Sequence, residues 1–337
     1  MQISNVLCRA LTPLLLLAAC RPAVVKESRM QMGTRVEITA AGRDRAVVAA
    51  KVEAAFREIA RLEGLMSSYQ PESEVSRINR AAGIAPVAVS PEVFEVIARS
   101  LEVSRVSEGA FDITFAALGK LWDLSGPTPA QLPEPAELAA KLKLVGWKRV
   151  QLDAKARTVF LPERGMQIGL GGIAKGYIVD QALKVLQADG VDRALVVASG
   201  DMRSFARPGQ RAWKIGIQDP ARRDRLLGEV EMTNLAISTS GQYERFIVIA
   251  GRRYGHILDP RTGWPAAGCR SVTVLAGEDW EADALATAAF VLGPARGMAL
   301  LRSRPGAEGM IVDAEGRGQI SLGFEKRLGG GQKEKSF

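Results

Sequence analysis

The chain has 337 residues, 47% of them hydrophobic, and a formal charge of +8. That length and apolar content are enough for an ordinary core, and its three cysteines, Cys8, Cys20 and Cys269, do not suggest a disulfide scaffold. No lysine/arginine block is interleaved with aromatics, which argues against nucleic acid; anionic lipid heads or a phosphate ligand explain the basic charge better.

In chain order, residues 1–19 read as a targeting segment. Arg9 is its basic part, residues 11–19 form an apolar run too short to span a bilayer as a stable helix, and Ala18 and Ala19 precede Cys20. Leu17-Ala18-Ala19-Cys20 resembles the lipobox of bacterial lipoproteins, in which the cysteine is acylated and begins the mature chain. An ordinary cleaved signal peptide is the alternative; on either reading the chain is exported. Acylation of Cys20 would leave Cys269 alone, with no internal disulfide. Residues 20–28 are expected to be a linker, 29–326 a single domain, and the glycine- and lysine-rich residues 327–337 a disordered tail.

Within the domain, residues 30–40 alternate as a strand. Val48, Val52, Phe56, Ile59, Leu62 and Met66 recur at helical spacing and predict a helix over 45–66. Ser90-Pro91-Glu92 marks a second helix start. The proline-rich stretch 127–135 reads as a loop, residues 149–152 and 158–161 as a hairpin, and 175–188 as a helix closed by Gly190. Strands are expected at 194–198, 213–218, 229–238, 246–250, 253–258 and 271–275. Helices follow at 281–292 and 294–303, then short strands at 310–312 and 319–322. Adjacent strands joined by short turns imply an α+β fold of mostly antiparallel sheets with packed helices.

Three segments carry chemistry. Gly169-Leu170-Gly171-Gly172-Ile173-Ala174 fits the dinucleotide pattern of spaced glycines and opens a helix whose first amides suit a phosphate, with Lys175 as a nearby cation. The strand hairpins downstream argue against a Rossmann unit. His256 is the only histidine, hence the only imidazole for proton transfer near neutral pH, and it precedes the turn sequence Asp259-Pro260-Arg261-Thr262-Gly263. Asp283 and Thr287 stand four residues apart on one helix face, a partial oxygen shell for Mg²⁺ shared with substrate phosphates. A solvated lysine, a packed histidine and a solvated helix face are the bland alternatives for these segments taken singly.

Taken in order, these and further blocks resemble the ApbE family of FAD:protein FMN transferases. The blocks are Met32-Gly33-Thr34; Met66-Ser67-Ser68-Tyr69 with Ser73-Glu74-Val75-Ser76 and Asn79; Gly109-Ala110-Phe111-Asp112; the glycine turn through Lys175-Gly176-Tyr177; Ser199-Gly200-Asp201; Ser238-Thr239-Ser240-Gly241; the His256 segment; and Ala282 through Ala288. The resemblance implies Mg²⁺-dependent transfer of FMN from FAD to a threonine or serine hydroxyl of an exported protein carrying an FMN-binding domain, with release of AMP. It implies that Met32, Tyr69, Ala110, Phe111, Asp112, Lys175 and Ile257, with the turn at Gly169, hold FAD. The metal would fall to Asp283, Thr287 and main-chain oxygens near Gly172 and Ala286, and His256 would be the base. The family's turn usually opens with aspartate where this chain has Gly169. Hydrolysis of FAD to FMN and AMP, and flavin binding without turnover, are the competing readings. A lipid-anchored protein on the periplasmic side of a bacterial envelope is the expected location.

Overall fold

The computed structural model describes residues 22–122, 131–222, 224–242 and 246–329. The expected targeting segment and Cys20 lie outside them, as do residues 330–337 of the expected tail.

The N-terminal strand is two strands. β1 (Ala23–Gln31) and β2 (Thr34–Gly42) pair antiparallel about Met32-Gly33, which turn with φ of 53° and 66°. The break in residues 30–40, and a strand beginning inside the expected 20–28 linker, correct the sequence reading. β1 gave little periodic signal because it is an edge strand with only Val25 buried. α1 (Arg45–Met66) is capped by the Asp44 carboxylate, which accepts from the amides of Ala46 and Val47, and it buries the six residues that predicted it.

Next come α2 (Glu74–Arg80), β3 (Val87–Ala88) and α3 (Pro91–Val106), the last capped by Ser90 as expected. A 3-10 stretch, Ile113–Leu121, leads toward α4 (Pro135–Leu142), so the proline-rich segment ends by opening a helix. β4 (Gln151–Asp153) and β5 (Thr158–Phe160) form the expected hairpin, and α5 (Ala174–Leu186) follows the glycine turn.

β6 (Arg193–Ala198) and β7 (Asp201–Ala206) form a hairpin, and β8 (Trp213–Gln218) pairs with β9 (Leu226–Met232). β10 (Ala236–Gly241) is separate from β9. The expected single strand at 229–238 is therefore broken at residues 233–235, where Asn234 has φ 54°. β11 (Phe246–Ile249) pairs with β12 (Arg252–Gly255), which stops three residues earlier than expected and leaves His256 in a bend. β13 (Cys269–Ala276), α6 (Asp279–Leu292), α7 (Pro294–Arg302), β14 (Glu308–Asp313), β15 (Gly318–Ile320), α8 (Leu322–Glu325) and β16 (Leu328–Gly329) complete the described chain. β16 pairs with β9, so the expected tail is ordered at its start.

The fold is α+β. One eight-stranded sheet runs β1-β2-β6-β7-β10-β13-β14-β15, antiparallel throughout. α1, α5 and α6 pack side by side on one face. The other face, through Leu195, Ile237, Leu275 and Met310, packs on Ile215, Ile217, Val230 and Met232 of the small sheet β16-β9-β8. β13 is buried at almost every position because both of its faces are covered. The site forms where α5 and α6 start and where β7 and β10 pass beneath them.

Candidate functional site

The glycine turn is pinned before it reaches α5. The Asn79 side chain donates to the Ile168 carbonyl at 2.9 Å and accepts from the Ile168 amide at 2.7 Å, and the Gly169 amide donates to the Ile113 carbonyl at 2.8 Å. A Cβ on Gly172 would stand 3.2 Å from the Phe111 ring and 3.3 Å from Thr287 Oγ1, so the bare backbone there lies against both. Gly176 crosses α6 so closely that a Cβ would overlap the Asp279 carbonyl. Its amide instead donates to Asp283 Oδ2 at 3.3 Å. The turn, Phe111, Lys175, Asp283 and Thr287, far apart in sequence, are thus brought together.

Asp283 and Thr287 lie on one face of α6, as their spacing predicted. The Thr287 hydroxyl is 3.2 Å from Ser240 Oγ on β10. Asp283 is buried; burial first, then the Asp201 charge, pushes its pKa up to about 7 against the pull of Lys175 and the Gly176 amide. Lys175, with 33% of its side chain exposed, forms an ion pair with Asp201 and lies 3.9 Å from Asp283 Oδ2. Burial opposes the ammonium charge, but Asp201 and then Asp283 outweigh it and hold its pKa above the usual lysine range. Asp201 Oδ1 accepts from Ser238 Oγ at 2.6 Å.

Asp279 opens α6 fully buried, and neither of its carboxylate oxygens has a hydrogen-bond partner. Burial and the charges of Asp201, Asp180 and Asp283 raise its pKa well above the carboxylate range, which favours the neutral acid. Asp180, beside it, accepts from the Asp279 and Trp280 amides and pairs with Arg203 at 3.1 Å.

The other expected residues are dispersed. His256 is half-buried in the bend after β12. Its neighbour Gly255 packs on Gln242, two residues beyond Ser240, which places the histidine segment at the Thr287 end of β10. Ile257 is buried, and its carbonyl accepts from the Ala266 amide at 2.9 Å. The Asp259 carboxylate holds the Arg261 guanidinium at 2.8 Å, and Trp122 Nε1 donates to the Gly263 carbonyl at 2.8 Å, so the turn is closed from both sides.

Ala110, Phe111 and Asp112 are buried. The Asp112 carboxylate is spent on structure: it accepts from the Thr114 amide and hydroxyl and from the Trp147 amide, and burial raises its pKa despite those bonds. A cavity of about 440 Å³ opens beside it, lined by Gly109, Trp147, Lys148, Pro260 and Arg261. Met32 is half-buried in its hairpin turn, Ala286 is fully buried in α6, and Tyr69 is 94% exposed, free of the packed cluster.

The residues present fit a hard divalent cation. The donors are all oxygen, one face of α6 supplies a carboxylate and a hydroxyl, and bare backbone at Gly172 approaches them where a side chain would intrude. Among the described residues no group of three or more His, Cys, Asp or Glu side chains is placed to hold a metal. Such a partial shell suits an ion that shares its coordination with water and substrate phosphates. Sequence reasoning gave no role to Asp201, Ser238, Ser240 or Asp279. The available signal was the pair of serines two apart on a strand, which must share a face.

Residues 32–311 match the ApbE family. A Treponema pallidum protein named FAD:protein FMN transferase is 36% identical over 304 residues, which cover 83% of this chain and 83% of that protein. Another of that name, from Klebsiella pneumoniae, is 36% identical over 259 residues, 76% of this chain and 80% of that protein. Among solved structures, the ApbE protein of Thermotoga maritima superposes with a TM-score of 0.82 at 33% identity, covering 90% of this chain and 99% of that one. The flavin transferase ApbE of Vibrio cholerae gives 0.78 at 30% identity, covering 91% and 100%. With a glycine turn, an oxygen-donor helix face and a family match over residues 32–311, this chain belongs to the ApbE family.

Proposed function

We propose that this protein transfers FMN from FAD to a threonine or serine hydroxyl of an exported acceptor protein with an FMN-binding domain. The observation that carries the reading is the meeting of Asp283 and Thr287 on α6 with the glycine turn and Lys175 of α5. The names of the relatives support the same chemistry. In the reaction the acceptor oxygen bonds to the FMN phosphorus and the bridging P–O bond to AMP breaks. The hydroxyl proton passes to His256, and AMP leaves with the bridging oxygen.

Mg²⁺, when bound, neutralises charge on the diphosphate and polarises the phosphorus under attack. On this reading Asp283 and Thr287 hold the ion, with main-chain oxygens near Gly172 and Ala286. The Lys175 ammonium faces the phosphate oxygens, whereas the amides that the sequence offered for this at the start of α5 are already taken: Ala174 donates to the Leu170 carbonyl and Gly176 to Asp283 Oδ2. Met32, Tyr69, Ala110, Phe111 and Ile257 hold the flavin nucleotide, and Asp112 acts by bracing the turn that carries Phe111. Tyr69, exposed on the surface, offers a flat ring for stacking.

We further read Cys20 as acylated, so that the enzyme works on the periplasmic side of the envelope, tethered by lipid. Incubation of the mature protein with FAD, Mg²⁺ and an FMN-binding-domain protein tests the activity. Covalent flavin fluorescence on the acceptor is the expected result. Free FMN and AMP without labelling would make the protein a hydrolase, and intact FAD a binding protein.

A further inference from the structure

Two sequence blocks have no part in the reaction as described so far: Ser199-Gly200-Asp201 and Ser238-Thr239-Ser240-Gly241. The structure joins them. Asp201 and Ser238 are cross-strand partners in the β7–β10 ladder, and Ser238 Oγ donates to Asp201 Oδ1 at 2.6 Å. The other carboxylate oxygen of Asp201 takes the Lys175 ammonium.

Asp201 is held stiffly. The β6–β7 turn before it is made by Ser199, at φ 59°, and by Gly200, where a Cβ would come within 2.7 Å of the Thr239 carbonyl. The Thr239 amide also donates to the Gly200 carbonyl at 3.1 Å. Two residues along β10, on the same face, Ser240 meets the Thr287 hydroxyl.

The Lys175 ammonium therefore stands between two buried carboxylates, paired with Asp201 and 3.9 Å from Asp283 Oδ2. A lysine ammonium is a compact charge on a flexible four-carbon stem, and it follows the stronger of two nearby anions. Were Asp201 neutral, Asp283 would be the anion within reach. An ammonium seated on Asp283 would compete with a divalent cation for the same oxygens.

We propose that Asp201, fixed by Ser238, is a positioning residue that holds the Lys175 ammonium off Asp283 and so leaves that carboxylate to the metal. The proposal rests on the reading of Asp283 as a metal ligand, and the test separates the two.

Mn²⁺ affinity is measured by calorimetric titration without FAD on the mature wild type, Asp201→Asn, Lys175→Met, the double variant and Asp283→Ala. Asp201→Asn is expected to weaken Mn²⁺ binding about tenfold or more, and Lys175→Met to restore it. The cycle carries the decision. Lys175→Met must strengthen binding about tenfold more in the Asp201→Asn background than in the wild type. If the two substitutions are simply additive, Asp201 acts only as a nearby charge and the proposal is wrong. If Asp283→Ala binds Mn²⁺ as wild type does, or the wild type binds none, the metal reading fails and takes the proposal with it. Should Asp201→Asn not fold, Ser238→Ala replaces it. A weakened affinity relieved by Lys175→Met supports the assignment, and an unchanged affinity overturns it.

Discussion

His256 is the one imidazole in the chain, and it stands in a bend where it is half-buried. A base that removes the acceptor proton matters only while the new O–P bond forms; the ground state of bound FAD does not need it. His256→Ala should therefore cost ~10²–10⁴-fold in acceptor labelling while FAD affinity stays within a small factor. His256→Gln should be nearly as impaired, since an amide cannot serve as the base. Titration of FAD and in-gel labelling on the same preparations check this, and a parallel collapse of both would make His256 a binding residue instead. Gly169 raises a different question, because the family usually has aspartate there. Its φ lies outside the left-handed region, so backbone angle does not restrict it; a Cβ would instead stand 3.1 Å from that of Ala116 and 3.7 Å from the Phe115 ring. Gly169→Asp should cost about 1–3 kcal/mol of stability through overpacking. Ala116→Gly should recover much of it, as read by denaturant unfolding. The identities and spacing of His256, Asp283 and Thr287 were legible in sequence. The role of Asp201 was not, because its partners Lys175 and Ser238 lie 26 and 37 residues away.

At the scale of elements, the site depends on how α5 and α6 meet. The Asp180 carboxylate on α5 accepts the first amides of α6 and faces Arg203 from β7, with Glu278 also near. Burial lifts its pKa from 3.8 to about 6, although the two amides and Arg203 oppose the shift. A raised carboxylate pKa means that the folded state holds the proton more tightly than the unfolded chain. The contribution is therefore fully present below about pH 4 and lost as pH rises through about 6. In Asp180→Asn, stability should change less between pH 4 and 7 than in the wild type, by at most about 3 kcal/mol. Thermal melts across that range decide it, and parallel curves would show that Asp180 does not titrate there. Helices were read well from periodicity, since α1 and α3 carry both a buried stripe and a cap. Strand breaks were not. Residues 229–238 keep an apolar pattern through the turn at Asn234, and alternation carries no information about a left-handed backbone angle.

For the molecule as a whole, the anchor and the catalytic body are separate matters. Among the described residues no helix is long and apolar enough to cross a membrane; the lipid anchor is proposed from Leu17-Ala18-Ala19-Cys20 alone. Cys20→Ala should shift the protein from the membrane fraction to a soluble or uncleaved form without changing the labelling activity of the folded domain. An unchanged distribution on fractionation would remove the lipid anchor. The sequence by itself determined the α+β class, the main helices with the Ser90 cap of α3, the lone histidine and the carboxylate–hydroxyl spacing on α6. These depend on local periodicity, capping and residue chemistry, all of which are written within a few neighbouring positions. Only the tertiary structure decided that Asn79 pins the glycine turn, that Asp112 braces the Phe111 segment, and that Asp201 pairs with Lys175 across the sheet. Those relations arise from strand order and from the crossing of α5 over α6, which depend on how distant segments bury their apolar faces together.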